Sequence, residues 1–172
     1  LRQEVLNREV EVAAEIQRTL VPSRLPSGKN YQLSSIYRPH FAVGGDYYDV
    51  IEFPGDNIVF CIADITGKGV SAALLMANFQ ANLRAIVTRS TNLEQIVHEL
   101  NAAVYRITQG DRFITLFLAK YDPQTRTIHY VNCGHTPPLL ISKGEVIPLK
   151  NGCTVLGWLP ELPFLELGGI CL

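Results

Sequence analysis

Six consecutive residues, Ile58-Val59-Phe60-Cys61-Ile62-Ala63, are apolar without a break, and a carboxylate, Asp64, follows at once. A strand of that composition has no polar face to offer water, so it belongs in the centre of a sheet covered on both sides. Strand-like runs at 31–38 and 48–53 precede it, and Pro54-Gly55-Asp56-Asn57 is a hairpin turn leading into the third run at 57–65. From Val70 the period changes. Ala72, Leu75, Met76, Phe79, Leu83, Ile86 and Val87 recur at helical spacing and predict a helix to about Arg89. Thr91-x-x-Glu94 reads as a capping box opening a second helix, with Leu93, Ile96, Val97, Leu100, Val104 and Ile107 inward and Gly110 closing it. Strands are expected again at 113–121 and 127–132, then a shorter pair at 139–142 and 146–149; apolar pieces broken by Gly and Pro fill 151–172. Hairpins, two consecutive helices and more hairpins argue against the alternation of a parallel βαβ sheet. The order predicts an α+β fold, antiparallel sheets covered by helices.

A length of 172 residues, 47% of them hydrophobic, suits one domain with a short appendage. The appendage is the amphipathic stretch 1–20, with Val5, Val12, Ile16 and Leu20 on one stripe and Val21-Pro22 ending it. Ile16 and Leu20 are expected to pack on the domain. Between Leu1 and Val12, where Glu4, Arg8, Glu9 and Glu11 surround a narrow seam, a contact with a second chain is expected. A net charge of −1 gives no electrostatic case for nucleic acid or a membrane surface. No apolar run approaches the roughly 18 residues of a membrane span. The four cysteines form no CxxC pair; Cys61 and Cys133 lie in apolar runs and are expected to be buried, reduced thiols of a cytoplasmic protein. The chain starts inside a helical pattern and stops at Gly168-Gly169-Ile170-Cys171-Leu172, where a strand is about to begin, and so reads as a segment of a longer protein.

Chemistry concentrates in two places. Val43-Gly44-Gly45-Asp46-Tyr47-Tyr48-Asp49 and Ala63-Asp64-Ile65-Thr66-Gly67-Lys68-Gly69 each set a carboxylate at a strand end beside glycines, which let backbone approach a ligand closely. Eighteen positions separate Asp46 from Asp64, a spacing that suits strands folded back on each other. Two hard oxygen donors converging there can hold Mg²⁺ or Mn²⁺. A turn role for Asp46 and a cap role for Asp64 remain open on the pattern alone. An unpaired carboxylate ending a doubly apolar strand is costly to bury, however, and a cation is a natural partner. Thr66-Gly67-Lys68-Gly69 precedes a helix and could offer backbone N–H groups to phosphate, but it lacks Walker spacing, and on pattern alone a tight strand-to-helix connection is the preferred reading. His135, in Cys133-Gly134-His135-Thr136-Pro137-Pro138, reads as a turn histidine closing a strand. Asp49, Asp56 and Asp111 are further possible ligands, the last two explained by turn and loop contexts.

Together these residues resemble the PPM-type (PP2C-like) serine/threonine phosphatases of the bacterial stage II sporulation E and stress-response regulator branch. The matching pieces are Ala14-Glu15-Ile16-Gln17 with Leu20-Val21-Pro22, Tyr37-Arg38-Pro39, the two acidic motifs with Ala72-Ala73-Leu74-Leu75-Met76, Phe113-Ile114-Thr115, and Asn132 to Pro138. The resemblance implies a PP2C-like sandwich of antiparallel sheets between helical layers, C-terminally truncated, over 23–172, with a regulatory linker helix at 1–22. It implies hydrolysis of a phosphoserine or phosphothreonine on a regulatory protein of the anti-sigma-factor antagonist type, by a water activated between two Mn²⁺ or Mg²⁺ ions. Asp64 would bridge the ions, the Ile65 carbonyl would bind one, and Asp46 would bind the other or its water, with Gly67, Lys68 and Gly69 as phosphate candidates. The N-terminal helix, with its apolar seam, is expected to couple an upstream sensor in the same chain to the domain and to offer a homodimer contact. One departure stands out: the family's later acidic motifs have no match here, and Glu161 and Glu166 do not supply them. A catalytically incomplete domain used for binding or dimerisation is the alternative.

Overall fold

A computed structural model of the chain describes residues 2–39 and 42–172. Leu1, the first residue of the expected seam, lies outside them. Helix α1 spans Arg2–Arg18, and strands β1 (Asp46–Phe53) and β2 (Asn57–Ile65) form a hairpin. Helices α2 (Gly69–Val87) and α3 (Leu93–Thr108) follow, then β3 (Ile114–Asp122), β4 (Thr127–Cys133), β5 (Leu139–Ser142), β6 (Glu145–Pro148), β7 (Gly152–Cys153) and β8 (Gly168–Cys171). The main sheet runs β1-β2-β3-β4-β7, with β8 also paired to β4, and β5 and β6 form a separate hairpin. Every pairing is antiparallel except β4 with β7. The α+β class is therefore observed.

The continuous apolar run is β2, flanked by β1 and β3. Its alternate residues Val59, Cys61, Ala63 and Ile65 enter the larger core. All seven residues expected on the inner face of α2 are buried, and α3 adds Leu93, Ile96, Val97, Leu100 and Val104. Phe60 faces the other way, toward a smaller cluster of Phe117, Ala119, Tyr130 and Leu149. Each buried Leu, Ile or Phe contributes roughly 1.5–3 kcal/mol, so these two layers hold the sheet. The sheet thus has apolar residues on both faces, but the second face is covered over only part of β2: Ile62 is 46% exposed, against the expectation that the strand is covered on both sides along its length. Cys61 and Cys133 are buried and unbridged, as is Cys153 beside Cys133.

Several details differ from expectation. Residues 31–38 form no strand; apart from a single bridge between Gly28 and Tyr31 they run outside any ladder. The cap of α3 is Asn92, whose side chain accepts from the Gln95 N–H at 3.0 Å, one residue later than the Thr91 box. Ile107 is exposed. At 19 residues α2 is long and apolar enough by composition to cross a membrane, contrary to the sequence estimate; seven of its residues pack into the core instead. The largest correction concerns α1. Val5, Val12 and Ile16 are exposed, and Ala14 and Gln17 are the buried residues. Gln17 takes the inward position because its amide bonds Gly44, and Ile16, one residue earlier, borders a cleft of about 180 Å³ with Val70 and Leu74 of α2. Leu20 packs on the core as expected.

Candidate active site

The β1–β2 register sets Asp46 directly opposite Asp64, and β2–β3 sets Asp64 opposite Thr115. Residues opposed in this way share a face and lie about 4.5–5.5 Å apart at Cβ. Both carboxylates are exposed and neither has a hydrogen-bond or ion-pair partner among the described residues. Like charges directly opposite are unfavourable. Burial and then the Asp46 charge push the Asp64 carboxyl above its ordinary value, against a lowering influence from His135. Hard oxygen donors held together at a cost are the chemistry that a divalent cation relieves.

Glycine makes this possible. A Cβ on Gly45 would stand 2.4 Å from the Ile65 carbonyl oxygen, and the Ile65 N–H donates to the Gly45 carbonyl at 3.2 Å. Only a bare Cα lets the start of β1 press against the end of β2. Asp46, Asp64, Gly67, Lys68 and Gly69 line one cleft of about 120 Å³, with Tyr37, Pro39, Gly44 and Gly45. Of the residues named from the sequence, Asp46, Asp64, Gly67, Lys68 and Gly69 therefore meet there, and Ile65 adjoins the cleft between Asp64 and the turn. The Gly67 and Gly69 φ angles of +110° and +64° form a turn open to residues without side chains. Lys68 caps α2 without a side-chain hydrogen bond, which leaves the first N–H groups of α2 available to an anion.

Residues outside the expected set support the turn. Thr66 is locked to Phe113: its hydroxyl donates to the Phe113 carbonyl at 2.9 Å and accepts from the Phe113 N–H at 3.0 Å. Arg112 lies over Gly67 and donates to the Ser71 hydroxyl at 3.2 Å. On the other side, the Gln17 amide clasps Gly44, donating to its carbonyl at 2.6 Å and accepting from its N–H at 3.0 Å. That clasp ties α1 to the turn just before Asp46.

Asp49, the second acid of the first motif, is not at the site. It faces the helices, 1% exposed, and Arg84 of α2 donates to both of its oxygens at 2.7 and 2.6 Å. The Tyr47 hydroxyl and the Val50 N–H complete its shell. Asp56 and Asp111 do not line the cleft either.

His135, read from the sequence as a turn residue, does reach the site. It lines a neighbouring cavity of about 680 Å³ together with Asp46 and Asp64. Its Nδ1 lies 2.8 Å from the Thr115 hydroxyl. Burial lowers its pKa, while Asp64 and then Asp46 oppose the shift. The Asn132–Pro138 motif was the available signal, but nothing local placed its histidine beside the acids.

Among the described residues no group of three or more His, Cys, Asp or Glu side chains is arranged to hold a metal. The donors present are two carboxylates and an adjoining carbonyl: a fit to a cation in kind, with a partial set of ligands.

The stage II sporulation protein E (SpoIIE) family matches residues 54–167, a span that holds Asp64, the glycine turn and His135 but not Asp46. Phosphoserine phosphatase RsbU of Bacillus subtilis (strain 168) is 29% identical over 143 residues, covering 83% of this chain and 42% of that protein. The chain thus spans less than half of that relative's length. Among solved structures, the SiaA-PP2C domain of Pseudomonas aeruginosa superposes with a TM-score of 0.80 at 22% identity, over 100% of this chain and 69% of that one. RsbX in complex with magnesium superposes at 0.60 and 19% identity, over 74% and 60%. The fold is that of PP2C-type domains, and the chain belongs to the stage II sporulation protein E family.

Proposed function

We propose that this chain carries part of the active site of a metal-dependent protein serine/threonine phosphatase. The observation that supports it most is the cross-strand pair Asp46–Asp64 at the mouth of the glycine turn. Asp46, Asp64 and the Ile65 carbonyl would hold Mn²⁺ or Mg²⁺, the latter being the ion in the RsbX structure. When bound, two such ions supply a water of lowered pKa and neutralise charge on the phosphoryl oxygens. The chain's own groups have separate tasks. Gly67, Lys68 and Gly69 receive the phosphate at the start of α2, and Thr66 with Arg112 keeps that turn in place. The substrate class we assign is a phosphoserine, by analogy with phosphoserine phosphatase RsbU, or a phosphothreonine, on a regulatory protein of the anti-sigma-factor antagonist type that the motif resemblance implies. Four unbridged cysteines fit a reducing, cytoplasmic setting.

The test is release of phosphate from a phosphoserine protein by the full-length enzyme, with Mn²⁺, with Mg²⁺ and with chelator. Turnover should require the metal and vanish in Asp64→Asn. Metal-independent turnover, or full activity in Asp64→Asn, would refute the reading.

A second reading, a binding or dimerisation module coupled to an upstream sensor, has one observation in its favour. Val5, Val12 and Ile16 are exposed on α1, and Val70 and Leu74 are exposed on the neighbouring α2. Deleting residues 1–12 from the full-length protein should then shift sedimentation toward monomer and change the phosphatase rate. Unchanged sedimentation and rate leave α1 as scaffold.

A further inference from the structure

Beside the two acids, the fold delivers a third chemical group, and several buried contacts hold the turn that carries it. Asp46, Asp64 and Thr115 form a row across β1, β2 and β3 on one face of the sheet. His135 stands beyond Thr115, with Nδ1 2.8 Å from its hydroxyl. The backbone around His135 is fixed without help from the ring. Asn132, 5% exposed, uses both ends of its amide: Oδ1 accepts from the His135 N–H at 2.8 Å and Nδ2 donates to the Leu149 carbonyl at 3.2 Å. Gly134 takes φ +64°, and a Cβ there would meet Val155 at 2.6 Å. A single bridge then registers Gly134 against Leu116, next to Thr115.

A turn held this firmly by its backbone has no structural need of an imidazole. The ring has one edge committed and one open. Nε2 has no partner among the described residues, yet no buried side-chain polar atom there lacks one. Nε2 is therefore accessible, and the ring lines the cavity that Asp46 and Asp64 also line. Among the described residues the Thr115 hydroxyl has no other acceptor; of the two directions that this contact allows, donation to Nδ1 is the one that satisfies the hydroxyl within the protein, and it puts the ring proton on Nε2.

We propose that His135 is a catalytic residue of this site, offering its Nε2–H to a non-bridging oxygen of the substrate phosphoryl group, with Thr115 as the positioning residue that fixes the tautomer. The inference rests on the phosphatase reading above. A preset donor aimed where negative charge builds up stabilises the transition state, and the loss of one such donor typically costs about 10²–10³ in rate. The backbone of the turn, and so the fold, does not depend on it.

The experiment uses the full-length protein and four measurements. Wild type is assayed with Mn²⁺ on p-nitrophenyl phosphate; no turnover there sinks the phosphatase reading and leaves the magnetic-resonance arm to decide this one. His135→Ala should lower kcat/KM by about 10²-fold. His135→Gln, which keeps an N–H donor, should recover at least part of that loss, and Thr115→Val should lose less than His135→Ala. Calorimetric Mn²⁺ affinity should be the same in wild type and His135→Ala. Long-range ¹H–¹⁵N spectra of wild type should show the proton on Nε2 and a shift of that resonance on titrating inorganic phosphate. The proposal is overturned if kcat/KM of His135→Ala stays near wild type, if its Mn²⁺ affinity drops (which would make the ring a metal ligand), or if the proton sits on Nδ1 and phosphate leaves Nε2 unmoved. The spectra are taken on wild type, so a variant that misfolds does not remove the test.

Discussion

Removing the charge of Arg84 while keeping its stem, as in Arg84→Met, isolates the buried Asp49 carboxylate. Asp49 is 1% exposed and receives four hydrogen bonds, two of them from Arg84. Without Arg84 it keeps only the Tyr47 hydroxyl and the Val50 N–H. Breaking a buried pair from one side costs about 3–5 kcal/mol, because the remaining charge is uncompensated. The Arg84 side chain is itself 48% exposed, so water can reach the vacated position, which favours the lower end, about 3 kcal/mol. For a chain of this size that corresponds to a fall in Tm of roughly 6–12 °C. Asp49→Asn leaves a half-exposed arginine free to hydrate and should cost about 1 kcal/mol. The double variant should be more stable than Arg84→Met alone, because the orphaned charge has gone. Urea unfolding of the metal-free protein, followed by far-UV circular dichroism, gives all four corners of the cycle. If Arg84→Met costs less than about 1 kcal/mol, or the two substitutions simply add, the pair does not pin β1 to α2 and the reasoning fails.

Further expectations concern the site itself. Gly45→Ala should abolish measurable Mn²⁺ binding in calorimetry, because its Cβ would displace the Ile65 carbonyl; retained affinity would show that this carbonyl is not a ligand. Asp64→Asn should remove Mn²⁺ binding and also stabilise the metal-free protein at neutral pH, by up to about 1 kcal/mol, because a like-charged neighbour is lost; a lower Tm in the metal-free variant would contradict this. The Asp64 carboxyl is raised above its ordinary 3.8. In the metal-free chain it therefore contributes stability that is fully present below 3.8 and is lost as pH rises through the raised value. A cation must displace that proton, so Mn²⁺ affinity should fall on acidification sooner than an unperturbed carboxylate allows. An affinity flat between pH 7 and pH 4 would refute it.

Period and turn chemistry carried most of the fold. The seven inward residues of α2 and the hairpin opposing Asp46 and Asp64 followed from residues close to one another in the chain. What the chain order hides is the identity of distant neighbours. Asp49 looked like its fellow acid Asp46 because Arg84, which claims it, lies 35 positions on. His135 looked like a turn residue because its place beside Asp64 depends on β3 lying between β2 and β4. The stripe on α1 misled for a different reason: apolarity marks what can be buried, and here an inward position went to Gln17, whose amide binds Gly44 27 positions on, while Ile16 stayed exposed.

Asp46 and Asp49 belong to opposite faces of β1, one turned to the cleft and one to the helices. A strand alternates with a period of two, so its length is as much a part of the message as its letters. Exchanging Tyr48 for another residue would alter a side chain. Excising it would invert half the strand, sending Asp46 under the sheet or pulling Asp49 off Arg84. Neither acid can fill the other's office from the wrong side. Evolution can therefore revise this segment by substitution but hardly by changing its length, and insertions have their natural outlet at the Pro54–Asp56 turn, where the chain faces water.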